Sequence, residues 1–433
     1  MANINCDTTS LSSSPMQAIS DAVTIDETSS KPTIGRGYYP ALIAASTSMW
    51  AILLGPVLST IPNQVNTLAP HNKVAALAMV TGIAGVVGII TNPLIGHLSD
   101  ITNTRLGRRI PWLLGGLVVI FPVSLLIGHS RSIGELACWW GLLQIGANML
   151  MAPTSATIPD VVPEHRRGMA SACLGIAAAA APVLGTGIQT LLSSPHLVYS
   201  FLGSLTVLAE IIFIFTLRHD RGHEPTAPKV RRGIQWQQLL PHSTDFWLVC
   251  GHRFLFGLGQ NMALAYLFFY LQDIIHYATV HPGQSTDDGV LILTAIYAPC
   301  VMVAALISGS ITDHTQRFKW CLTIATLTFA LGAVLGAITG SWSGVIVLAV
   351  LTGVGYGVYA STSMSMAVHL LPDDNRRARD LSLINVADLS SIALGPVVAA
   401  IGIAASGYSS VFIAAGILVL ISGALVLRTR SAH

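Results

Sequence analysis

The chain has 433 residues, of which 52% are hydrophobic and only 10% are charged, whereas about 25% of the residues of an ordinary soluble protein are charged. A water-soluble fold could not cover its surface with so few charges, so the composition indicates a polytopic membrane protein. The formal net charge of +2 comes without a basic cluster that has interleaved aromatic residues, so nucleic-acid binding is not expected.

Residues 1–36 are rich in Ser, Thr, Asp and Glu and lack the basic start and apolar core of a signal peptide. We expect a disordered tail that stays on the side of the membrane where it is made.

Twelve apolar runs follow, each long enough for a bilayer span of about 20 residues. They cover approximately 39–63, 73–98, 110–128, 133–158, 168–191, 196–217, 246–272, 288–309, 320–339, 343–366, 381–404 and 408–427. Each is predicted to be a helix, because a helix satisfies its own backbone hydrogen bonds in lipid and the runs lack the alternation of barrel strands.

Lysine and arginine residues in the loops predict the orientation of these spans. If the N-terminus is inside, the basic loops after the even-numbered spans all lie in the cytoplasm, and the outer loops keep only Lys73 and Arg131. The outer loop after span 7 instead carries Asp273, Asp287 and Asp288. We therefore expect a multi-pass protein of the cell membrane with both termini in the cytoplasm.

A basic loop at about 218–245 divides the spans into two groups of six that repeat weakly. Asp100 follows span 2 as Asp313 follows span 8, and "PEHRR" after span 4 corresponds to "PDDNRR" after span 10. Internal repeats of this kind build many secondary transporters. The predicted fold is an all-α polytopic membrane protein with twelve transmembrane helices in two pseudo-symmetric six-helix halves. The predicted units are a tail at 1–36, halves at 37–217 and 246–427, a linker at 218–245 and a second tail at 428–433.

The loop "GHLSDITNTRLGRRIPW" (96–112) concentrates charge between two apolar spans. Together with the twelve spans and the fainter copy after span 8, it resembles the major facilitator superfamily, whose usual loop is G-x-x-x-D-[RK]-x-G-[RK]-[RK]. The matching residues are Gly96, Asp100, Gly107, Arg108 and Arg109. Here a longer insert separates Asp100 from Gly107, and Pro111 and Trp112 follow. This longer form is similar to the glycoside–pentoside–hexuronide cation symporters and the related sucrose carriers, as are "IPDVVPEHRRG" (158–168) and "HLLPDDNRRARDLSLIN" (369–385).

The resemblance implies a carrier that works by alternating access, with this loop as a cytoplasmic latch. Asp100 would cap the N-terminus of span 11, near Asp380, in one conformation only, a contact that contributes about 0.3–1 kcal/mol at exposed sites. A contact that is present in one state biases the equilibrium between states. The alternative is that the loop only fixes the topology. The candidate gating residues in the loops are Asp100, Arg105, Arg108, Arg109 and Asp313.

Binding sites of such carriers lie near the middle of the bilayer, between the halves. The resemblance places spans 1, 4, 7 and 10 around the cavity. Their central polar and aromatic residues, with one from span 8, are the candidate substrate ligands: Trp50, Gln144, Asn148, Gln260, Asn261, Tyr297, Tyr356 and Tyr359. Four amides at one depth favour a shared polar cavity, because an unpaired amide in hydrocarbon is costly. The alternative for each amide is a hydrogen bond that holds two helices together. The lack of a central charge in these four spans favours a neutral, hydroxyl-rich solute.

Three ionisable residues lie inside the spans, where such residues are usually functional: Glu210, Arg253 and Asp388. Glu210 lies about two turns from the cytoplasmic end of span 6, within reach of the interface for a long side chain. Arg253 and Asp388 share a depth, and we expect them to pair as a cytoplasmic gate or a protonation point. A structural pair that only neutralises charge is the alternative.

Span 2 departs from that of the melibiose-type symporters, in which aspartates bind the coupling cation, because it has Thr81 and Asn92 but no carboxylate. Proton coupling elsewhere and no coupling both remain open.

The predicted function is transport of a small neutral polar solute, a sugar or glycoside, with a proton or cation as candidate coupling partner. Efflux of amphipathic or drug-like compounds is the alternative. No nucleophile–base pair, metal-ligand spacing or cofactor motif is present, so no enzyme or cofactor is expected, and a six-plus-six carrier can act as a monomer.

Overall fold

The computed structural model describes residues 37–219, 244–369 and 377–429. The predicted tail at 1–36 and most of the predicted linker and second tail lie outside these residues. The described part contains twelve long helices and no strand. They are numbered in chain order as α1 Tyr38–Leu68, α2 Lys73–Ile101, α3 Ile110–Ile127, α4 Ile133–Val161, α5 Arg167–Leu192, α6 Pro195–His219, α7 Thr244–Asp273, α8 Thr286–Thr315, α9 Phe318–Thr339, α10 Trp342–His369, α11 Arg377–Ser406 and α12 Tyr408–Leu427.

Eleven of these helices are long and apolar enough to cross a membrane. The twelfth, α4, has 29 residues, but Gln144 and Asn148 near its centre make it more polar than the others. The prediction of an all-α fold with twelve long helices is confirmed. Several helices extend past the predicted runs, since polar residues at a helix end can continue the backbone hydrogen bonds outside the hydrocarbon.

The helices pack mainly within two sets of six, α1–α6 and α7–α12. In the first set the main pairs are α1 with α5 and α6, α4 with α2 and α3, and α3 with α6. The same pairs recur in the second set when six is added to each helix number. For example, α7 packs with α11, and α9 packs with α12. This correspondence gives the described part of the chain the internal pseudo-symmetry that the repeated loops indicated.

Two helix pairs, α2–α11 and α5–α8, carry most of the contact between the sets. Gly85 allows the first pair to approach closely, because a Cβ added there would lie 2.5 Å from the Cα atom of Ala393. Polar side chains accompany the second pair, where the hydroxyls of Thr186 and Thr294 lie 3.1 Å apart. These contacts position the two sets relative to each other.

We name the two ends of the molecule by their charges. The basic end carries the loop residues Arg105, Arg108 and Arg317, and the acidic end carries Asp273 and Asp287. By the orientation predicted from the sequence, the basic end faces the cytoplasm.

Candidate functional site

Arg253 on α7 and Asp388 on α11 form an ion pair in the second set. Arg253 donates from Nε to Oδ1 over 3.1 Å and from Nη2 to Oδ2 over 2.5 Å. Its third nitrogen, Nη1, donates to the hydroxyl of Ser363 on α10 over 3.1 Å. The side chains are 12% and 27% exposed. The structure therefore brings together the two residues that depth alone suggested as partners, and it adds Ser363, which no sequence pattern had indicated.

An amide and aromatic strip continues from this pair along the same set. Gln260 donates from Nε2 to the hydroxyl of Tyr297 over 2.7 Å. The ring centres of Tyr297 and Tyr356 are 6.3 Å apart with 29° between the ring planes, and the ring of Tyr359 lies 6.0 Å from that of Tyr356. The guanidinium carbon of Arg253 lies 5.9 Å from the centre of the Tyr359 ring. Residues from three helices thus connect the central amide of α7 with the ion pair.

Tyr359 belongs to the packing behind this strip. It is only 6% exposed, and its ring stacks on Phe256 with 3.8 Å between centres. Tyr297 and Tyr356 are only partly buried. Of the three predicted tyrosine ligands, Tyr297 and Tyr356 are therefore the two that keep surface for a solute.

Asn148 of α4 acts as a tie between helices. Its Oδ1 accepts from Asn92 of α2 over 3.0 Å, and its Nδ2 donates to the hydroxyl of Thr91 over 2.9 Å and to the carbonyl of Gln144 over 3.0 Å. Asn148 is 2% exposed. The geometry matches the alternative reading of a helix–helix hydrogen bond, because the side chain has no free donor left for a solute.

The other predicted ligands lie apart from one another. Gln144 is partly buried beside Gly88. Asn261 donates to the carbonyl of Gly257 in its own helix over 2.8 Å, and Trp50 packs against the apolar core. Within the described residues, no hydrogen bond joins the amides of α4 to those of α7, so the single amide cluster expected from the sequence is not formed in this conformation.

The loop 96–112 is bound within the first set. Arg109 donates to Asp100 over 2.5 Å, to the hydroxyl of Ser99 over 2.8 Å and to Asp160 over 2.9 Å. The side chain of Asp100 is 60% exposed. The predicted contact between Asp100 and the start of α11 stays a prediction, since residues 370–376 lie outside the described part.

The remaining gating candidates make fewer contacts. Arg105 and Asp313 are exposed and Arg108 is partly buried, and none of the three has an ion pair within the described residues. Asp160 was not predicted, although it lies in the "IPD" stretch that resembles the sugar-carrier branch. An acidic residue close to a basic loop could have suggested this ion pair from the sequence.

The side chain of Glu210 on α6 does not lie at the membrane–water interface, where the sequence predicted it. It is 0% exposed, and neither carboxyl oxygen has a hydrogen-bond partner within the described residues. Its neighbours on the same face contact α1: Thr206 donates to the carbonyl of Ser48 over 3.1 Å, and Phe213 packs against Tyr38. The side chain therefore points into the α1–α6 contact and does not reach the membrane surface.

Polar contacts between the two sets lie at the acidic end. Ser59 and Asn63 of α1 donate to Asp287 of α8. Lys73 of α2 binds Asp273 of α7 over 2.7 Å. No ion pair or hydrogen bond joins the two sets at the basic end, as far as the described residues go. The conformation is thus closed at the acidic end. The sequence singled out the acidic loop and Lys73, one of two basic residues in the predicted outer loops, but it did not indicate that they meet.

Comparison with known proteins gives three findings. A model of the Major Facilitator Superfamily matches residues 39–319 and 291–433. Hippocampus abundant transcript-like protein 1 of Rattus norvegicus is 24% identical over 53% of this chain and 45% of its own length. The sucrose transport protein SUC4 of Arabidopsis thaliana is 29% identical over 23% of this chain and 22% of its own length. The matched part of this chain spans less than half the length of either relative.

A solved structure shows the same fold. A bacterial homologue of the human lysosomal transporter Spinster, described as inward-facing and occupied, superimposes with a TM-score of 0.72. The match covers 92% of this chain and 98% of that one at 14% identity. At this identity the similarity establishes the arrangement of helices and leaves the solute open.

Proposed function

Because the chain belongs to the major facilitator superfamily, we propose that this membrane transporter carries a small neutral polar solute, with sugars and glycosides as the leading class. The two sets of helices act as the moving parts of alternating access. The basic end lies in the cytoplasm and the acidic end faces outward. The protein works as a monomer, and proton symport is the coupling we test first.

The strip formed by Gln260, Tyr297 and Tyr356 carries this proposal. Tyrosine rings offer flat apolar faces for the faces of a sugar ring, and amide and phenol groups offer both hydrogen-bond donors and acceptors for hydroxyls. Among the described residues, the charges beside the strip are those of Arg253 and Asp388, which neutralise each other at 2.5 Å. A solute without net charge suits such a surface, since it does not require an unpaired counter-charge.

The closed acidic end supports the same mechanism. In this conformation the hydrogen bonds and ion pair between the sets lie at the acidic end, and α2 approaches α11 closely at Gly85 and Ala393. A solute that binds the strip then exchanges with the basic end only. Transport requires a second state in which the contacts of Lys73 and Asp287 are broken.

External pH in a lightly buffered suspension of energy-depleted cells tests the proposal. Disaccharides and glycosides are added one at a time to cells that express the chain and to empty-vector cells. Alkalinisation with one sugar, in expressing cells only, would establish proton-coupled uptake. Tyr356→Ala should abolish that response, whereas Tyr356→Phe, which keeps the ring, should retain most of it.

No pH change with any sugar, together with no uptake of labelled sugar, would overturn the proposal. Dye efflux would then test the alternative, export of amphipathic compounds, for which the aromatic strip also provides apolar surface. Uptake of labelled sugar without a pH change would support sugar as the solute and refute proton symport.

A further inference from the structure

Asp287, at the start of α8, is one of two carboxylates of the second set that bind the first set, the other being Asp273. Ser59 donates its hydroxyl to Oδ1, and Asn63 donates from Nδ2 to Oδ2 over 2.9 Å. The side chain of Gln189 on α5 also interacts with this carboxylate. Neutral polar groups of the first set therefore surround one acidic side chain of the second set.

The other two carboxylates of the second set at this end are held differently. Asp273 binds Lys73 over 2.7 Å. Asp288 accepts from the backbone N–H and the hydroxyl of Ser285 over 2.7 and 2.8 Å. Asp287 has no cation among its described partners, and its neighbour in sequence, Asp288, carries the same sign of charge. The half of α1 that faces it and the acidic half of α5 contain no titratable residue.

The remaining titratable groups of the adjoining segment do not supply a counter-charge. Tyr277 donates its hydroxyl to Gln284, and burial, followed by the charge of Asp288, raises the pKa of Tyr277, which stays neutral. His281 stacks on the ring of Tyr277 with 4.5 Å between centres. His276 is exposed to solvent. None of these is a described partner of Asp287.

A carboxylate that leaves water for a site without a cation becomes less stable relative to the neutral acid, and a neighbouring like charge adds to that effect. Hydrogen bonds from neutral donors offset only part of it. We propose that Asp287 is a proton-binding site that forms as the acidic end closes and releases its proton when the sets separate and the carboxyl returns to water. Ser59 and Asn63 enclose the site, and the ligand is a proton from the medium at the acidic end.

Binding of the proton and closure of the end are thermodynamically linked, so acid favours the closed state. The proton acts on the conformational equilibrium and does not need to cross the membrane. This inference rests on the alternating access proposed above, but it is independent of the solute.

Distance measurement between two spin labels tests the site. The labels replace Thr67 on α1 and Ser343 on α10, both exposed at the acidic end, in a chain whose native cysteines are changed to serine. The pH runs from about 5 to about 9, which brackets the range of a partly buried carboxyl. We expect one short distance in acid and a longer distance that grows several-fold in population as the pH rises.

Two variants separate Asp287 from other titrating groups. Asp287→Asn is neutral at every pH, so its short distance should persist throughout the titration. Glu135→Gln, at the same end but bound to the backbone of Arg131 within the first set, should follow the native titration. A native distance distribution that does not change with pH would overturn the proposal, and so would an Asp287→Asn variant that titrates like the native chain.

A third variant covers the case in which Asp287→Asn fails to fold. Asn63→Ala removes one donor and should lower the closed population at every pH while the titration remains, and an unchanged closed population would overturn the proposed enclosure. No solute is present in these measurements. If sugar uptake is observed but the spin-label distances do not depend on pH, only the proposal that Asp287 binds a proton is refuted. If the distances depend on pH but no sugar is taken up, only the proposed transport function is refuted.

Discussion

Arg253 on α7 and Asp388 on α11 join the two helices through two hydrogen bonds of one ion pair, 3.1 and 2.5 Å long. Their helices occupy the positions in the second set that α1 and α5 occupy in the first. In the first set, the close approach of α1 and α5 is made by two glycines, Gly55 and Gly185, because a Cβ added to Gly55 would lie 2.5 Å from the Cα of Gly185. The α7–α11 contact therefore includes a charged pair, whereas the corresponding α1–α5 contact has no ion pair among the described residues and its polar contact is the hydrogen bond from Thr60 to Gln189 over 2.6 Å.

Loss of one partner of this pair should cost more than loss of both. Arg253→Gln or Asp388→Asn leaves a mostly buried charge uncompensated, which costs about 3–5 kcal/mol in fully buried pairs. The double variant removes both charges and should be more stable than either single variant. The thermal stabilities of the native chain, the single variants and the double variant are compared by heating each sample and monitoring the remaining folded protein by fluorescence-detected size-exclusion chromatography. Asp313→Asn, at an exposed position, is the control. If the single variants unfold at the native temperature but lose coupled uptake, the pair acts in transport rather than in stability.

Asn148 should be a stability residue and Gln144 should not. Asn148→Ala removes three hydrogen bonds that involve α2 and α4, and each such bond in a membrane contributes about 0.6 kcal/mol. We expect a loss of about 2 kcal/mol in unfolding free energy with unchanged solute affinity. Gln144→Ala, one turn away, should leave stability near the native value. A large loss of affinity in folded Asn148→Ala would contradict this assignment.

Gly85 should control closure of the acidic end. Gly85→Ala places a Cβ 2.5 Å from the Cα of Ala393, so α2 and α11 must separate and the closed state should lose population. Gly96→Ala on the same helix meets nothing within 4 Å and gains the same helix propensity of about 1 kcal/mol, which makes it the matched control. The spin-label distance at the acidic end measures both, and an identical distribution in the two variants would refute the prediction.

Arg109 should stabilise the basic end and Arg105 should not. The side chain of Arg109 is 12% exposed and holds two carboxylates, whereas Arg105 is exposed and has no ion pair within the described residues. Arg109→Gln should lower the unfolding free energy by about 1–3 kcal/mol, less than for a fully buried pair because Asp100 is 60% exposed. Arg105→Gln should unfold like the native chain. Equal melting temperatures for the two variants would show that the charge network adds nothing to stability.

Features that are local in the chain could be predicted from the sequence. The apolar runs determined the twelve helices, because a segment long enough to span lipid must satisfy its own backbone. The repeated loops around Asp100 and Asp313 indicated two related sets of helices. The shared depth of Arg253 and Asp388 was enough to suggest their pairing, since an ionisable residue inside a span needs a partner.

Only the tertiary structure decided which polar groups meet. The sequence gives the depth of a residue in its helix, but the direction of its side chain depends on how the helix is rotated against its neighbours. Asn148 therefore turned out to tie α4 to α2, and Glu210 to lie inside the α1–α6 contact. The meeting of Ser59 and Asn63 with Asp287 depends further on how the two sets sit against each other, because these residues belong to different sets.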